Sequence, residues 1–345
     1  MAACTWQRTL KRSFDVAGVG LHSGKHAAVQ VHPAAANTGI VFRAPCGAQN
    51  QQQVRQEIRA HISNVDDRKS QLCTQLTAMS ADGKHSVSVS TIEHLMAALA
   101  AARITNAYVD VSGSAAATRD RPDEPRIELP ILDGSSIQFL DAIDDAGVQD
   151  QERHCLRYYK VKKPVQVLLE DKAAWFLPMP DHQTSAGGDA VHSPTLNLSV
   201  QVNFAHKGLS TTFCRYILGA DPEANIQQFR AQIAPARTFT FEEEIEWMQK
   251  HGLALGGSLD NAVVFRKPII EGQHSINVLN PDGLRFPQDE WTRHKMLDCI
   301  GDLGLAGLPL HGYFFATSPG HALTHKLLRE LFCDVSNYEE MELTP

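Results

Sequence analysis

The first part of the chain alternates apolar and other residues. Between residues 5 and 45 the apolar positions recur every second residue, which predicts strands joined by glycine turns. The recurring positions include Val29, Val31, Ile40 and Phe42, and the turn residues are Gly18, Gly20 and Gly24. The polar run that follows, 49–57, predicts a surface segment.

The run 91–102 predicts the first helix. Ser90 or Thr91 can provide its N-cap, and Glu93 lies in its first turn, where the helix dipole favours an acid. Flanking strands are predicted at 86–90 and 106–111.

The next segment predicts a loop, a strand and a helix. Residues 112–125 are rich in Ser, Ala, Arg, Asp and Pro, which favours a loop insertion. A strand at 127–132 ends at an Asp-Gly turn, and a helix follows at 137–146. The acidic, polar run 147–153 predicts the boundary between two domains, 1–149 and 150–345.

The second half predicts strands first and helices later. The predicted strands are 160–170, 173–179, 195–204, 262–265 and 312–316, with a polar loop at 181–193. The predicted helices are 241–251, 289–303 and 321–331. Strands and helices therefore occur in clusters rather than in strict alternation, which indicates an α+β fold.

Charge and cysteine content narrow the class of protein. The 345 residues include 32 basic and 39 acidic ones, so a net charge of −7 provides no global field to attract nucleic acid. The seven cysteines include no CxxC pair, which predicts reduced thiols and a cytoplasmic protein. The apolar run 95–102 is far shorter than the ~20 residues of a membrane span, so no span is predicted.

A candidate metal site lies in the segment 293–302. Four helical residues advance by about 400°, so His294, Asp298 and Asp302 share one face of the predicted helix. A His and a carboxylate so spaced can bind one metal ion, and the third residue can support them. The spacing equally fits an ordinary His–Asp pair on a solvated helix face, so it leaves both interpretations open.

Two further segments contain histidines that could contribute to chemistry. Glu93 and His94 point ~100° apart at the start of a predicted helix, so His94 could bind a metal while Glu93 holds a water. The alternative is a carboxylate that stabilises the helix N-terminus beside a surface His. His321 follows a Pro-Gly turn and lies four residues before His325, which makes these two a competing metal pair or two solvent-facing histidines.

Seven sequence blocks occur in an order typical of one known family. The blocks are QRTLKRSFDVAGVGLHSGK (7–25), STIEHLMAALAAARITNAYVDV (90–111), ELPILDGSS (128–136), ARTFTFEEEIEWMQKHGLALGGSLDNAVV (236–264), NPDGLRF (280–286), RHKMLDCIGDL (293–303) and GHAL (320–323). Together they resemble the zinc-dependent UDP-3-O-acyl-N-acetylglucosamine deacetylases of lipid A biosynthesis.

The resemblance implies a metal site and an acid–base pair. It gives His94, His294 and Asp298 as ligands of Zn²⁺, with one coordination position left open as catalysis requires; Fe²⁺ could use the same ligands. Glu93 then resembles the general base. His321 resembles the general acid, with Asp302 oriented toward it. The His321–His325 metal pair is disfavoured, since members of the family usually have Asn where His325 stands.

The resemblance also implies substrate contacts. Thr238 matches a residue that stabilises the oxyanion, and Lys295 one near that site and the substrate phosphates. Phe204 aligns with an aromatic residue that stacks on uracil, while Phe241 and Ile245 preserve the apolar character of the acyl passage. Ser318 and Glu242 depart from the family pattern, where a basic and an apolar residue are usual, so the acyl-chain length is not predicted.

The implied fold has two similar α+β domains, with helices packed between two sheets. The first domain would supply Glu93 and His94, and the second the remaining site residues. The implied reaction is hydrolysis of the acetamide of UDP-3-O-acyl-N-acetylglucosamine. We separately predict a monomer with no nucleic-acid partner and no membrane span. A zinc hydrolase of another N-acyl substrate and a catalytically silent binding protein are the alternatives.

Overall fold

The computed structural model describes residues 6–49, 52–67, 72–79, 83, 86–113, 116–118, 121–180, 194–267 and 277–343. The strands are β1 (Trp6–Leu10), β2 (Phe14–Val19), β3 (His26–Pro33), β4 (Ile40–Gln49), β5 (Gln52–Arg59), β6 (Gln75–Met79), β7 (Ser86–Ser90), β8 (Ala107–Gly113), β9 (Ala116–Thr118), β10 (Arg121–Glu128), β11 (Val148–Cys155), β12 (Arg157–Val161), β13 (Val165–Leu169), β14 (Lys172–Leu177), β15 (Leu196–Val202), β16 (Thr212–Leu218), β17 (Phe239–Phe241), β18 (Val263–Arg266), β19 (Asn277–Val278), β20 (Leu310–Thr317) and β21 (Tyr338–Glu342). The α-helices are α1 (Glu93–Ala101), α2 (Ile137–Ala146), α3 (Pro222–Gln232), α4 (Glu242–Lys250), α5 (Glu290–Leu303) and α6 (His321–Cys333).

Two sheets form from the first half of the chain. The larger has the order β2-β3-β8-β4-β5, and the smaller has the order β6-β7-β10-β9. Every second residue of β3 is buried, with Val29 and Val31 fully inaccessible, because one face of this sheet packs on the core.

The second half forms a seven-stranded sheet and a small three-stranded one. Strands β13-β14-β20-β12-β21 lie side by side, and β15 pairs with β20 and with β16. Strand β15 buries each alternate residue from Leu196 to Val202, so its apolar face meets the helices. The three-stranded sheet has the order β17-β18-β19.

Helices α1, α2, α5 and α6 pack together and link the two larger sheets, whereas α4 packs on β17 and β18. Helix α5 packs on α1, on α6 and on β15 and β16, while α6 also contacts β13 and β14. Helix α2 connects α1 to β2 of the first sheet. Most of the buried apolar residues of both halves join into one large cluster, and Leu156, Tyr158 and Leu343 form a small separate one. The α+β fold class predicted from the sequence is confirmed.

Several predicted elements need correction. Strand β5 occupies most of the predicted surface segment 49–57 and lies at a sheet edge. Strands β9 and β10 occupy much of the predicted loop 112–125. The predicted strand 160–170 is two strands, since a turn containing Pro164 interrupts it. The predicted loop 181–193 lies outside the described residues.

The polar run at the predicted domain boundary is part of a strand. Residues 148–153 belong to β11, which pairs antiparallel with β1 near the N-terminus, with Gln149 opposite Thr9. The division into 1–149 and 150–345 remains a prediction.

Helix α1 begins without the predicted side-chain cap. Ile92 is its N-cap residue and makes no side-chain cap hydrogen bond. Ser90 ends β7, and Thr91 has a φ of 59°, with its hydroxyl donating to Glu128 Oε1 at 3.0 Å. Glu93 does lie in the first turn, as predicted.

The contact of α5 with α1 requires a glycine. A Cβ atom at Gly301 would stand 2.1 Å from the carbonyl oxygen of Glu93. Gly301→Ala is therefore expected to separate the helices and lower the free energy of unfolding by about 1–3 kcal/mol, measured by denaturant titration. Gly304→Ala is the matched control, because its methyl group would meet only the end of the Met96 side chain, at 3.0 Å. Equal stability of the two variants would contradict the close approach.

No helix within the described residues is long and apolar enough to cross a membrane.

Candidate metal centre and active site

The site forms where the N-terminus of α1 meets the middle of α5. His94 comes from α1, while His294 and Asp298 lie one turn apart on α5. All three are buried, and their ligand atoms lie within 4.8 Å of one another. The Nε2 atoms of His94 and His294 are 3.8 Å and 3.5 Å from Asp298 Oδ1. The fold thus joins the two segments that the sequence presented separately.

The protonation of these three residues suits a metal ion. His294 Nδ1–H donates to the Ala236 carbonyl at 3.0 Å, so its Nε2 keeps a free lone pair. Burial lowers the pKa of His94 to about 3 and also lowers that of His294, so both rings are neutral. Burial opposes ionisation of Asp298, but Lys295, whose Nζ donates to Oδ2 at 2.9 Å, and His294 outweigh it and lower the pKa of the carboxyl.

The donor set fits a divalent transition metal. Two neutral imidazoles and one carboxylate are typical of catalytic zinc sites with an open position. His294 keeps its Nε2 lone pair free for an ion, and Nε2 of His94 faces the same carboxylate oxygen of Asp298. The same ligands suit iron(II), so this set does not identify the metal.

Glu93 and His321 face each other beside these three candidate ligands. Glu93 Oε1 and His321 Nε2 are 3.7 Å apart, and both side chains are almost fully buried. On the far side of the imidazole, His321 Nδ1–H donates to Asp302 Oδ2 at 2.9 Å. Asp302 thus fixes the orientation and tautomer of His321.

Together, burial and the neighbouring charges raise the pKa values of both Glu93 and His321. Burial raises the pKa of Glu93 to about 7, so a proton can bind to or leave its carboxylate near neutrality. Burial opposes protonation of His321, but Asp302 and Glu93 outweigh it and raise the pKa of the imidazole to about 9. A protonated His321 thus faces a carboxylate that can accept a proton.

A cavity of about 370 Å³ opens onto these groups. Its polar wall contains the predicted residues Glu93, His94, Thr238, His294, Lys295, Asp298 and His321. The lining also has an apolar part, here called the apolar wall, which includes Leu21, Ile245, Met248, Leu259 and Val264. The cavity can therefore hold a molecule with one polar and one apolar part.

Comparison with known proteins identifies the family. A family model described as "LpxC: UDP-3-O-acyl N-acetylglycosamine deacetylase" matches residues 7–333. The chain belongs to this deacetylase family.

Relatives named UDP-3-O-acyl-N-acetylglucosamine deacetylase match almost end to end. The protein of Citrifermentans bemidjiense is 39% identical over 344 residues, covering 99% of this chain and 93% of the relative. That of Actinobacillus succinogenes is 38% identical over 334 residues, with 96% and 92% coverage. That of Neisseria meningitidis is 36% identical over 339 residues, with 97% and 93% coverage.

Two substrate residues predicted for this deacetylase family member lie beside the cavity rather than in its wall. Phe204 and Phe241 contact each other edge to face, with ring centroids 6.0 Å apart, and Phe204 also contacts Phe239, which does line the cavity. Phe241 is only 3% exposed. The predicted contacts of Phe204 with uracil and of Phe241 with an acyl chain remain predictions.

The two residues that depart from the deacetylase pattern lie outside the described cavity wall. Glu242 pairs with Arg266 on the surface, with Oε2 2.5 Å from Nε. Ser318 has a φ of 45°, and its Oγ accepts the backbone N–H of Asn203 at 3.2 Å. Neither side chain replaces a residue of the polar wall.

Sequence reasoning missed Thr74 at the centre of this deacetylase site. Its hydroxyl donates to Asp302 Oδ1 at 2.6 Å, and its backbone N–H donates to Glu93 Oε2 at 3.1 Å. Thr74 thus joins the carboxylates of Glu93 and Asp302, of which the first faces His321 and the second accepts its Nδ1–H. No recognised motif surrounds Thr74, so the neighbouring sequence gives no local signal of its role.

A second missed feature is the wall formed by the glycine-rich segment 18–24. His22 lines the cavity, and its Nε2 is buried without a partner among the described residues. Glu128, 3% exposed, accepts the backbone N–H groups of His22 and Ser23 at 2.8 Å and 2.7 Å. The segment lies in the first block of the resemblance, 7–25, which is the available sequence signal.

Proposed function

We propose that this protein hydrolyses the acetamide of UDP-3-O-acyl-N-acetylglucosamine, producing acetate and the free 2-amino sugar nucleotide for lipid A biosynthesis. The observation that carries the proposal is the meeting of His94, His294 and Asp298 beside the facing pair of Glu93 and His321, in a member of the deacetylase family. The curated relatives bear the name of this activity.

The proposed cofactor is Zn²⁺, held by His94, His294 and Asp298. When bound, Zn²⁺ supplies Lewis-acid polarisation of the acetamide carbonyl and makes water a better nucleophile at neutral pH. In the proposed division of the chain, the domain 1–149 provides Glu93 and His94 and the domain 150–345 provides the other site residues. The ligands would therefore hold the two domains together.

Glu93 and His321 carry the proton transfers in this proposal. Glu93 accepts a proton from the water that attacks the acetamide carbon. The Thr238 hydroxyl donates to the oxyanion that forms on the carbonyl oxygen. His321 donates a proton to the amine nitrogen as the C–N bond breaks, and Asp302 stabilises the protonated imidazole before that step.

The two walls of the cavity suit the two parts of the substrate. The apolar wall with Ile245, Met248 and Leu259 would take the 3-O-acyl chain, whose burial contributes about 0.8 kcal/mol per CH₂ group. Lys295, on the polar wall, would lie near the reacting carbonyl and provide a positive charge for the phosphates.

We place the reaction in the cytoplasm. We also propose that the active protein is a monomer, and light scattering can test this through the molar mass.

The deciding experiment measures acetate release from UDP-3-O-acyl-N-acetylglucosamine by protein of known metal content. Release is expected to stop on chelation and to return when Zn²⁺ is added to the apoprotein; Fe²⁺ is added in parallel to compare the two ions. Bound metal without release from the UDP sugar would contradict the substrate and favour another N-acyl amide. Protein with neither metal nor release would overturn the enzymatic proposal.

A further inference from the structure

His325 is a fully buried histidine that the proposed reaction does not use. It lies on α6 one turn after His321, and the two imidazole rings are stacked with centroids 6.2 Å apart. Its exposed fraction is 0%. The three metal ligands come from α1 and α5, so His325 is not one of them. A polar ring in such a position needs partners, and those partners indicate what it does.

The partners of His325 lie on its Nε2 side. Thr74 Oγ1 is 3.0 Å from Nε2, and Asp302 Oδ1 is 3.5 Å from it. The Thr74 hydroxyl has one hydrogen, and its shortest contact is with Asp302 Oδ1 at 2.6 Å. Because an ionised carboxylate only accepts hydrogen bonds, the Thr74 hydroxyl donates its one hydrogen to Asp302. Thr74 Oγ1 must then accept from His325, so Nε2 carries the proton.

The other nitrogen of the ring agrees with this assignment. His325 Nδ1 is buried and has no hydrogen-bond partner within the part of the chain that the structure describes. The donor position is satisfied when the proton is on Nε2, whereas a proton on Nδ1 would be buried without an acceptor and would leave Nε2 unable to donate to Thr74. The surroundings therefore select one tautomer.

Fixing Thr74 has consequences on both sides of the reacting centre. Its hydroxyl supports Asp302, which in turn holds His321 Nδ1 at 2.9 Å. Its backbone N–H supports Glu93 Oε2 at 3.1 Å. The two groups that would move protons during hydrolysis are thus connected through one residue.

We propose that His325 is a positioning residue for this acid–base pair, whose Nε2–H holds the Thr74 hydroxyl in the orientation that supports Asp302 and His321. This inference rests on the proposed deacetylase function. His325 contacts neither the substrate nor the metal ligands and acts through Thr74 and Asp302.

Steady-state kinetics of two variants test the role of the donor. His325→Leu keeps a buried apolar side chain but has no donor, and we expect kcat to fall about tenfold with KM and metal content unchanged. His325→Gln places an amide N–H at the same distance along the side chain, and we expect it to restore kcat to within about threefold of the wild type. Thermal unfolding of both variants establishes that the protein is folded.

Two kinetic results would overturn the role. A folded His325→Leu enzyme with wild-type kcat would show that the donor contributes nothing. Equal losses in folded His325→Leu and His325→Gln, with the metal retained, would show that ring shape rather than hydrogen bonding matters.

A spectroscopic measurement tests the same inference without activity. In the ¹⁵N spectrum of histidine-labelled, metal-loaded protein, compared with His325→Gln for assignment, we expect His325 to be the neutral Nε2–H tautomer. A Nδ1–H tautomer would overturn the proposal. If the wild-type enzyme released no acetate, the proposed function would fail, while this spectrum would still decide the bonding of His325.

Discussion

Glu93→Gln is expected to lower kcat for acetate release by about 10²–10⁴-fold, the contribution that a general base typically makes. Gln keeps the shape of the side chain and an oxygen that can accept the Thr74 N–H, now 3.1 Å from Glu93 Oε2. It cannot accept a proton from water. Because Glu93 is not one of the three grouped ligands, metal content should remain at the wild-type level.

The measurement combines kcat, metal analysis and thermal unfolding of the same preparations. Glu246→Gln is a suitable control, since Glu246 is exposed on α4 and pairs with Lys250 in an i,i+4 contact of 2.6 Å. It makes the same chemical change away from the cavity and should leave kcat unchanged. A folded, metal-loaded Glu93→Gln enzyme with more than a tenth of wild-type kcat would assign the base to another group.

The elements that could be predicted are those with strong local signals. Helix α2 spans Ile137–Ala146 as predicted, because it follows an Asp-Gly turn and ends at Gly147, which has a φ of 72°. The predicted helix 289–303 also agrees closely with α5. In both segments the sequence close to each end determines where the helix begins or stops.

The missed elements depend on partners that are distant in sequence. Strands β9 and β10 were predicted as a loop because Ser, Pro and Asp are poor strand formers, yet β10 also pairs in parallel with β7. The start of α1 was predicted to be capped by Ser90 or Thr91. Instead, the Thr91 hydroxyl donates to Glu128, 37 residues away, which no local pattern indicates.

The candidate site shows the same division between local and distant information. The i,i+4 spacing correctly places His294 and Asp298 on one helix face, with both side chains buried. Their meeting with His94 depends on the close packing of α1 against α5 at Gly301. About 200 residues of intervening chain must fold correctly before this contact can form. Only the family resemblance brought these segments together in advance. Thr74 is not predicted because its hydroxyl acts through contacts with residues more than 200 positions away.

His94→Ala is expected to have the largest effect on activity, because it should remove the metal. Loss of residues that merely support a ligand costs 10–100-fold in metal affinity, so loss of a ligand should cost more than about 100-fold. In zinc enzymes the pKa of water falls from 15.7 to about 7, which corresponds to roughly 12 kcal/mol. A general base contributes roughly 3–5 kcal/mol. Acetate release should therefore fall further than in Glu93→Gln.

Among the three proposed ligands, His94 is the best for this test. His294→Ala would leave the Ala236 carbonyl without its donor, and Asp298→Ala would leave Lys295 without its carboxylate partner. His94 Nδ1 has no hydrogen-bond partner among the described residues, so its removal strands no other group in that region. Loss of metal in this variant would then result from the loss of a metal ligand rather than from damage to the packing of the core.

The comparison needs metal content, acetate release and circular dichroism from proteins purified in parallel. His26→Ala is the matched control, since His26 is exposed at the start of β3 and away from the cavity wall. The control should keep wild-type metal content and activity. Stoichiometric metal in folded His94→Ala protein would show that the ion binds elsewhere. The buried histidines beside Glu93 and His321 would then have a role other than metal binding.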